Sequence, residues 1–189
     1  LLLDDDHVLG CSPVDHMLIG SPFSEPVDTF WEHIYRACGV SHSSVFPVTT
    51  VVDRREIRAY FNAGLLVVKP QRGILRAWGE NIRTICNGAD MKGLLNGNPL
   101  HRVFLHQAAL AATILARVDR SEILLFPPRI NYPLHMHADH PANRATKTLD
   151  DVVMCRYEGF FAHGDWARTI PASNALQAWI RTHLYPANS

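Results

Sequence analysis

Short apolar runs and helical stripes alternate along this chain, the order expected of an α/β layer. Leu1-Leu2-Leu3 runs into Asp4-Asp5-Asp6 and then His7-Val8-Leu9, which predicts an opening strand that delivers its acids to a sheet edge. From Cys11 to Val27, Pro13, Gly20, Pro22 and Pro26 break the pattern and predict irregular structure. Phe30, Trp31, Ile34, Tyr35 and Cys38 then repeat at helical spacing, with Asp28 or Thr29 to cap the helix and Gly39 to stop it. Ser41 to Thr50 is polar and β-branched around Pro47 and is expected to be an extended segment or loop.

A second apolar run, Leu65 to Val68, follows the small-residue turn Asn62-Ala63-Gly64 and stops at Pro70, as a short buried strand would. Ile74, Leu75, Trp78, Ile82 and Ile85 predict an amphipathic helix from about Gly73 to Cys86. Gly and Asn dominate Asn87 to Pro99, the composition of a mobile surface loop. A helix is expected over Phe104–Arg117, with His106 and Gln107 projecting from its first turns, and a strand over Ile123–Phe126 closed by Pro127-Pro128. The turn Asn131-Tyr132-Pro133 leads into the histidine-rich stretch His135 to His140. Val152 to Tyr157 predicts the last strand and Ala172 to His183 the closing helix.

Composition narrows the function classes. With 189 residues, 47% hydrophobic and 19% charged, the chain is expected to form one domain over 1–189 with a sizeable core. Eighteen basic residues cancel eighteen acidic ones, so no field attracts nucleic acid or an anionic membrane. The four cysteines form no CxxC pair, which argues against a structural zinc site and demands no disulfide, so a cytoplasmic location is the default. Ala108 to Ala116 is too short to cross a bilayer, where about 20 residues are needed. The chain opens without an initiator Met or a signal-peptide pattern, and it is expected to be the C-terminal part of a longer domain whose N-terminal strands are missing.

Two places carry candidate chemistry. Asp4 and Asp6 would share one side of a strand, with Asp5 turned away, and neutralising their repulsion calls for a divalent cation or another cationic ligand. A solvated acidic turn is the plain alternative. At Asn62-Ala63-Gly64 the amide offers both a donor and an acceptor, and glycine permits close approach of backbone to a ligand; a turn without a ligand is the alternative. Trp31, Trp78, Trp166 and Trp179 are read as packing groups rather than sugar-stacking platforms.

Taken in order, Asp4-x-Asp6, Phe61-Asn62-Ala63-Gly64 with its apolar strand, the Trp78 helix and the His106-Gln107 helix resemble the GT-A nucleotide-sugar glycosyltransferases. The closest likeness is to the glycogenin and lipopolysaccharide-galactosyltransferase group, family 8. Phe126-Pro127-Pro128-Arg129-Ile130-Asn131-Tyr132 stands where that family has a Leu-Pro-x-x-x-Asn turn, and Arg156-Tyr157-Glu158-Gly159 where it has His-Tyr/Phe-x-Gly. The resemblance implies a GT-A fold with a mixed central sheet flanked by helices. It implies transfer of a sugar from a nucleoside-diphosphate donor, a UDP-sugar by the likeness, to a carbohydrate, lipid or protein acceptor. It assigns Mn²⁺ or Mg²⁺ to Asp4 and Asp6, catalytic roles to Asn62 and Gln107, and donor contacts to Asp5, Asn62, Ala63, Gly64, His106, Gln107 and Arg156.

Two residues depart from the family. His106 replaces the acid before Gln107, and Arg156 replaces the metal-binding His, which an arginine cannot do because it has no available lone pair. The third ligand is then His163, His135 or His137, or else Arg156 pairs directly with the donor phosphates. Other readings stand beside the transferase. A haloacid-dehalogenase-like phosphatase would use Asp4 and Asp6 with Lys147 and Asp150-Asp151, but it calls for Gly-Thr where His7-Val8 stands. A zinc site could use His135, His137, Asp139 and His140 on an extended segment. An inactive transferase-like fragment would keep the fold alone.

Overall fold

The computed structural model describes residues 3–88, 91–140, 146–162 and 165–184, which form a mixed α/β structure in two compact units, Leu1–Leu125 and Phe126–Ser189. In the first unit, β1 (Leu9–Cys11) lies at the centre of a three-stranded sheet. It pairs antiparallel with β4 (Val67–Val68) and parallel with β5 (Ile123–Leu125). Leu9 faces Val68 on one side and Ile123 on the other, so the sheet is mixed, as expected. The strand expected over Leu65–Val68 has ladder pairing only at its last two residues and is half-buried.

Helix α1 (Thr29–Cys38) forms where its apolar spacing predicts. The Asp28 carboxylate accepts the Trp31 N–H, a cap that contributes about 1 kcal/mol. Gly39 closes the helix in the left-handed region at φ 68°, donating to the Arg36 and Tyr35 carbonyls. Its buried face, Phe30, Trp31, Ile34 and Tyr35, packs into the core, and the Trp31 indole N–H donates to the Ile19 carbonyl at 2.6 Å. The neighbouring Gly20 is required by space: a Cβ there would lie 2.8 Å from the Met17 carbonyl oxygen and 3.0 Å from Ile57.

Helices α2 (Ile74–Asn87), α3 (Met91–Gly97) and α1 all pack on α4 (Pro99–Arg117). From Ala108 to Leu115 α4 is buried all round, and its alanines let the flanking helices approach closely. Thr113 is fully buried among them, donating to the Ala109 carbonyl at 2.6 Å and accepting from the Asn81 amide of α2 at 2.9 Å. Where the Gly and Asn content of 87–99 predicts a loop, α3 forms instead. Met91 is buried and Leu94 and Leu95 pack against the core, and this three-and-four spacing decides the conformation. The segment after α1 contains a hairpin, β2 (Pro47–Thr49) antiparallel to β3 (Glu56–Arg58).

The second unit pairs β6 (Tyr132–Pro133) parallel with β7 (Cys155–Arg156), placing Tyr132 beside Cys155 and Pro133 beside Arg156. Its core is Tyr132, Leu134, Leu149, Phe161, Trp166, Ile170 and Ile180. A short helix, α5 (Trp166–Thr169), supplies Trp166, whose ring meets Phe161 edge-on at 5.1 Å. Helix α6 (Asn174–His183) is capped by Ser173, which is held in turn by both oxygens of Asp150 at 2.8 and 2.7 Å. Exposed Val153, Met154, Tyr157 and Trp179 rim an apolar groove of about 260 Å³ beside α6. Among the described residues no helix is long and apolar enough to cross a membrane.

Candidate functional site

The acidic run precedes the strand rather than ending one. Leu1 and Leu2 lie outside the described residues, Asp5 and Asp6 form a bend, and the ladder starts at Leu9. Strand alternation therefore does not orient the three carboxylates. A local turn does: Asp4 Oδ1 accepts the backbone N–H of Asp6 at 3.2 Å and of His7 at 3.1 Å, and lies 2.6 Å from His7 Nδ1. The His7 hydrogen bond holds the Asp4 carboxyl below its usual range, so this exposed group stays ionised. Lys69 donates from its ammonium to the Asp5 carbonyl at 2.7 Å and from its backbone N–H to the Val8 carbonyl at 2.9 Å. Behind it, Arg72 pairs with Glu122 at 2.5 Å, and the Glu122 carbonyl accepts the Val8 N–H. The acids thus sit in a setting of mixed charge at the start of β1.

The Asn62 turn lies at the other end of β1. Phe61 bridges to Pro13, and the Asn62 N–H donates to the Ser12 carbonyl at 2.9 Å. The Asn62 side chain is 9% exposed, and its Oδ1 accepts the Gly64 N–H at 2.7 Å, which closes an Asx turn. That bond engages the side-chain carbonyl and fixes the orientation of the amide N–H₂. Ala63 is half-buried and Gly64 exposed. Beside the turn, the buried Ser12 hydroxyl has no hydrogen-bond partner among the described residues. Between Val8 and Ser12 the chain advances about 13 Å at roughly 3.3 Å per residue, so the structure does not bring Asp4 and Asp6 against Asn62.

His106 and Gln107 occupy the middle of α4, because Asn98 caps the helix and Pro99 starts it about one and a half turns before the expected opening at Phe104. His106 is exposed, and its carbonyl accepts the Trp78 indole N–H at 2.8 Å, tying α2 to α4. Gln107 is half-buried and its Oε1 is enclosed without a hydrogen-bond partner among the described residues. A buried carbonyl oxygen in that state is a ready acceptor for a hydroxyl.

In the second unit the histidine stretch forms a 3₁₀ turn over Leu134–Asp139, not an extended segment. His135 and His137 accordingly take different partners. His135 Nε2 lies 3.2 Å from Glu158, whereas His137 Nδ1 lies 2.8 Å from the Tyr132 hydroxyl. Burial pushes the Tyr132 hydroxyl up to about 12 and lowers His137. Arg156 of β7 donates to the other Glu158 oxygen at 3.3 Å. Asp150 and Asp151 are spent on local structure, the first holding Ser173 and the second accepting the Lys147 and Thr148 N–H groups. His163 lies outside the described residues. Among the described residues, no three His, Cys, Asp or Glu side chains are grouped to hold a metal ion.

His7, Lys69 and Ser12 join the site through contacts that the sequence pattern does not single out. The three-residue spacing of Asp4 and His7 was the one signal available for the first; the other two depend on strand register. Comparison with known proteins found a family match, the Rhodobacterales glycosyltransferase domain, over residues 21–117. No curated protein and no solved structure matches. The matched stretch contains Asn62, Ala63, Gly64, His106 and Gln107 and excludes Asp4–Asp6, Arg156 and His163. It spans just over half of the 189 residues, and the chain belongs to the Rhodobacterales glycosyltransferase domain family.

Proposed function

We propose that this chain moves a sugar from a nucleoside-diphosphate donor, a UDP-sugar, to an acceptor hydroxyl on a GT-A-type scaffold, with the donor's diphosphate at the acidic run. The observation that carries this reading is the family match over the unit that also contains the Asn62 turn and Gln107. The mixed sheet β4–β1–β5 supports the scaffold.

The donor set at the acidic run fits a hard cation that arrives with its nucleotide. Mg²⁺ and Mn²⁺ of this kind take one or two protein carboxylates and complete their shell with phosphate oxygens and water, so a third protein ligand is not required. Asp4 Oδ1 is occupied by its three donors, which leaves Oδ2 for the ion together with exposed Asp6. When bound there, the ion supplies Lewis-acid stabilisation of the leaving diphosphate.

The chain's own residues do the positioning. His7 keeps Asp4 ionised and fixes its rotamer. The Asn62 N–H₂ donates to a donor-sugar hydroxyl, its orientation set by the Gly64 bond. Gln107 Oε1 accepts from a second hydroxyl and so satisfies an oxygen that lacks a partner among the described residues.

Calorimetric titration of the protein with UDP-sugars, with and without Mn²⁺, tests the reading. Nucleotide binding that strengthens with Mn²⁺ and weakens in Asp4→Asn is expected. Binding indifferent to the metal would remove the ion from the mechanism, and no nucleotide binding at all would remove the donor.

A further inference from the structure

A cleft of about 440 Å³ opens in the first unit between the segment that follows α1 and the connection from α4 to β5. Its volume lies within the roughly 300–1,000 Å³ of small-molecule sites. Three serines and Phe46 come from the first segment, and Arg117, Asp119 and Arg120 from the second. None of them belongs to the acidic run or to the Asn62 turn.

The charged groups stand apart. Arg117, Asp119 and Arg120 share the cleft, yet none makes a salt bridge among the described residues. Arg120 is nevertheless fixed, its guanidinium 5.0 Å over the Phe46 ring and donating to the Ile123 carbonyl at 3.1 Å. Asp119 is placed by its backbone N–H, which donates to Glu122 Oε2 at 3.2 Å. The serines keep spare capacity. Ser41 and Ser43 share one hydroxyl–hydroxyl bond of 2.8 Å, which leaves one of their two protons uncommitted, and Ser44 donates to the Ser41 carbonyl and keeps its lone pairs.

These groups select the charge of a ligand. An anion would meet the Asp119 carboxylate and the negative, carbonyl ends of α1 and α4, which finish at Cys38 and Arg117. A cation would meet two guanidiniums. Hydroxyl groups donate to the carboxylate and accept from a guanidinium at once, so a neutral polyol uses both charges. Half-buried Phe46 adds apolar surface for the C–H face of a sugar ring.

We propose that this cleft binds an uncharged saccharide, a non-reacting sugar of the acceptor glycan. The acceptor role rests on the function proposed above, but saccharide binding itself does not. The Phe46 ring lies 6.4 Å from that of Phe61, the residue before Asn62, so a pair of packed rings joins the cleft to the turn. A sugar held outside the reacting centre lowers KM without changing the chemical step.

An array of neutral and acidic oligosaccharides, probed with the labelled full chain, tests the site, and calorimetry with the neutral glycan bound best gives the affinity. Asp119→Ala should weaken it about tenfold, the worth of a hydrogen bond to a charged group, and Asp119→Asn should restore part because an acceptor oxygen remains. Ala116→Trp fills the cleft from an exposed position and should abolish binding. In transfer assays the same variants raise KM for the acceptor and leave kcat within about twofold. Circular dichroism and melting curves separate loss of fold from loss of site. No neutral glycan bound, a preference for acidic glycans, or wild-type affinity in folded Asp119→Ala and Ala116→Trp overturns the proposal, even where UDP-sugar transfer is observed. Glycan binding that these variants lose, in a chain that binds no UDP, keeps the saccharide site and removes the transfer.

Discussion

Replacing Asn62 separates its structural bond from its chemical one. Asn62→Ala loses the hydrogen bond from Gly64 N–H to Oδ1, 2.7 Å long. A net loss of about 0.5–1.5 kcal/mol is normal for such a bond, and exposed Gly64 lets water replace it, so the lower half of that range applies. For a chain of this size the melting temperature should fall by about 2–4 °C for each kcal/mol. Asn62→Asp keeps an oxygen where Gly64 N–H points, so its stability should stay within about 1 kcal/mol of wild type. Activity should rank differently. Asn62→Ala removes one neutral hydrogen bond to the sugar and should lower kcat/KM by roughly two- to tenfold. On the function proposed above, Asn62→Asp puts a negative oxygen where the N–H₂ would meet an anionic donor. The substitution removes a hydrogen-bond donor and adds repulsion, and the fall should reach roughly a hundredfold. Melting curves and donor-hydrolysis or transfer kinetics on the same preparations check both orders. If activity simply follows stability across the three proteins, Asn62 is a turn residue and its assignment to the donor sugar fails.

Three further outcomes follow from the hydrogen bonds and titrations. Because the His7 bond lowers the Asp4 carboxyl, its ionised form persists to lower pH in the wild type. His7→Ala should therefore move the acid limb of Mn²⁺-dependent nucleotide binding to higher pH, read by titration calorimetry across the carboxylate range. Thr113→Val keeps the shape of a fully buried side chain but strips the Asn81 amide of its acceptor, and should cost about 1–2 kcal/mol by chemical denaturation; an unchanged midpoint would refute the α2–α4 link. In the second unit, burial lowers His137, so the unfolded chain takes up its proton first as pH falls through the ordinary histidine range. Stability should decline on acidification through that window, and His137→Gln should remove this part of the pH dependence of melting.

Elements whose periodicity agrees with their burial were legible in the sequence. Helix α1 and its two caps, α2, and the strand at Ile123 fall within a few residues of expectation because the apolar stripe that defines each is the face that packs. The failures share a cause in tertiary context. Helix α3 was hidden because Gly93, Asn96 and Gly97 dominate its composition while three apolar side chains decide its packing. The opening strand was misplaced because Leu3 and the acids read as one run, whereas the ladder is fixed by register with Val68 and Ile123, residues far along the chain. Asn62 is legible as a turn from Asn-Ala-Gly, but the bond from Gly64 N–H to its carbonyl, which orients the amide, is not. The three-residue step from Asp4 to His7 fits a turn rather than a strand, and the turn is what joins the two side chains.

The length of β1 sets a condition on the substrate. The acids lie beyond Val8 and the Asn62 turn beyond Ser12, with about 13 Å of extended backbone between. A phosphate monoester with one reacting phosphoryl group engages one end or the other, which is a physical reason against a phosphatase that would gather its groups around a single phosphorus. A ligand that touches both ends must carry an anionic part and a hydroxyl-bearing part separated by several bonds. A nucleoside-diphosphate sugar has that layout: on the function proposed above, its diphosphate would meet the acidic run through a divalent cation and its sugar would reach along the strand to the Asn62 amide. The same reasoning makes the strand a ruler. A donor shortened to a sugar 1-phosphate should lose the contact at one end, and it should then respond to Asp4→Asn or to Asn62→Ala, but not to both.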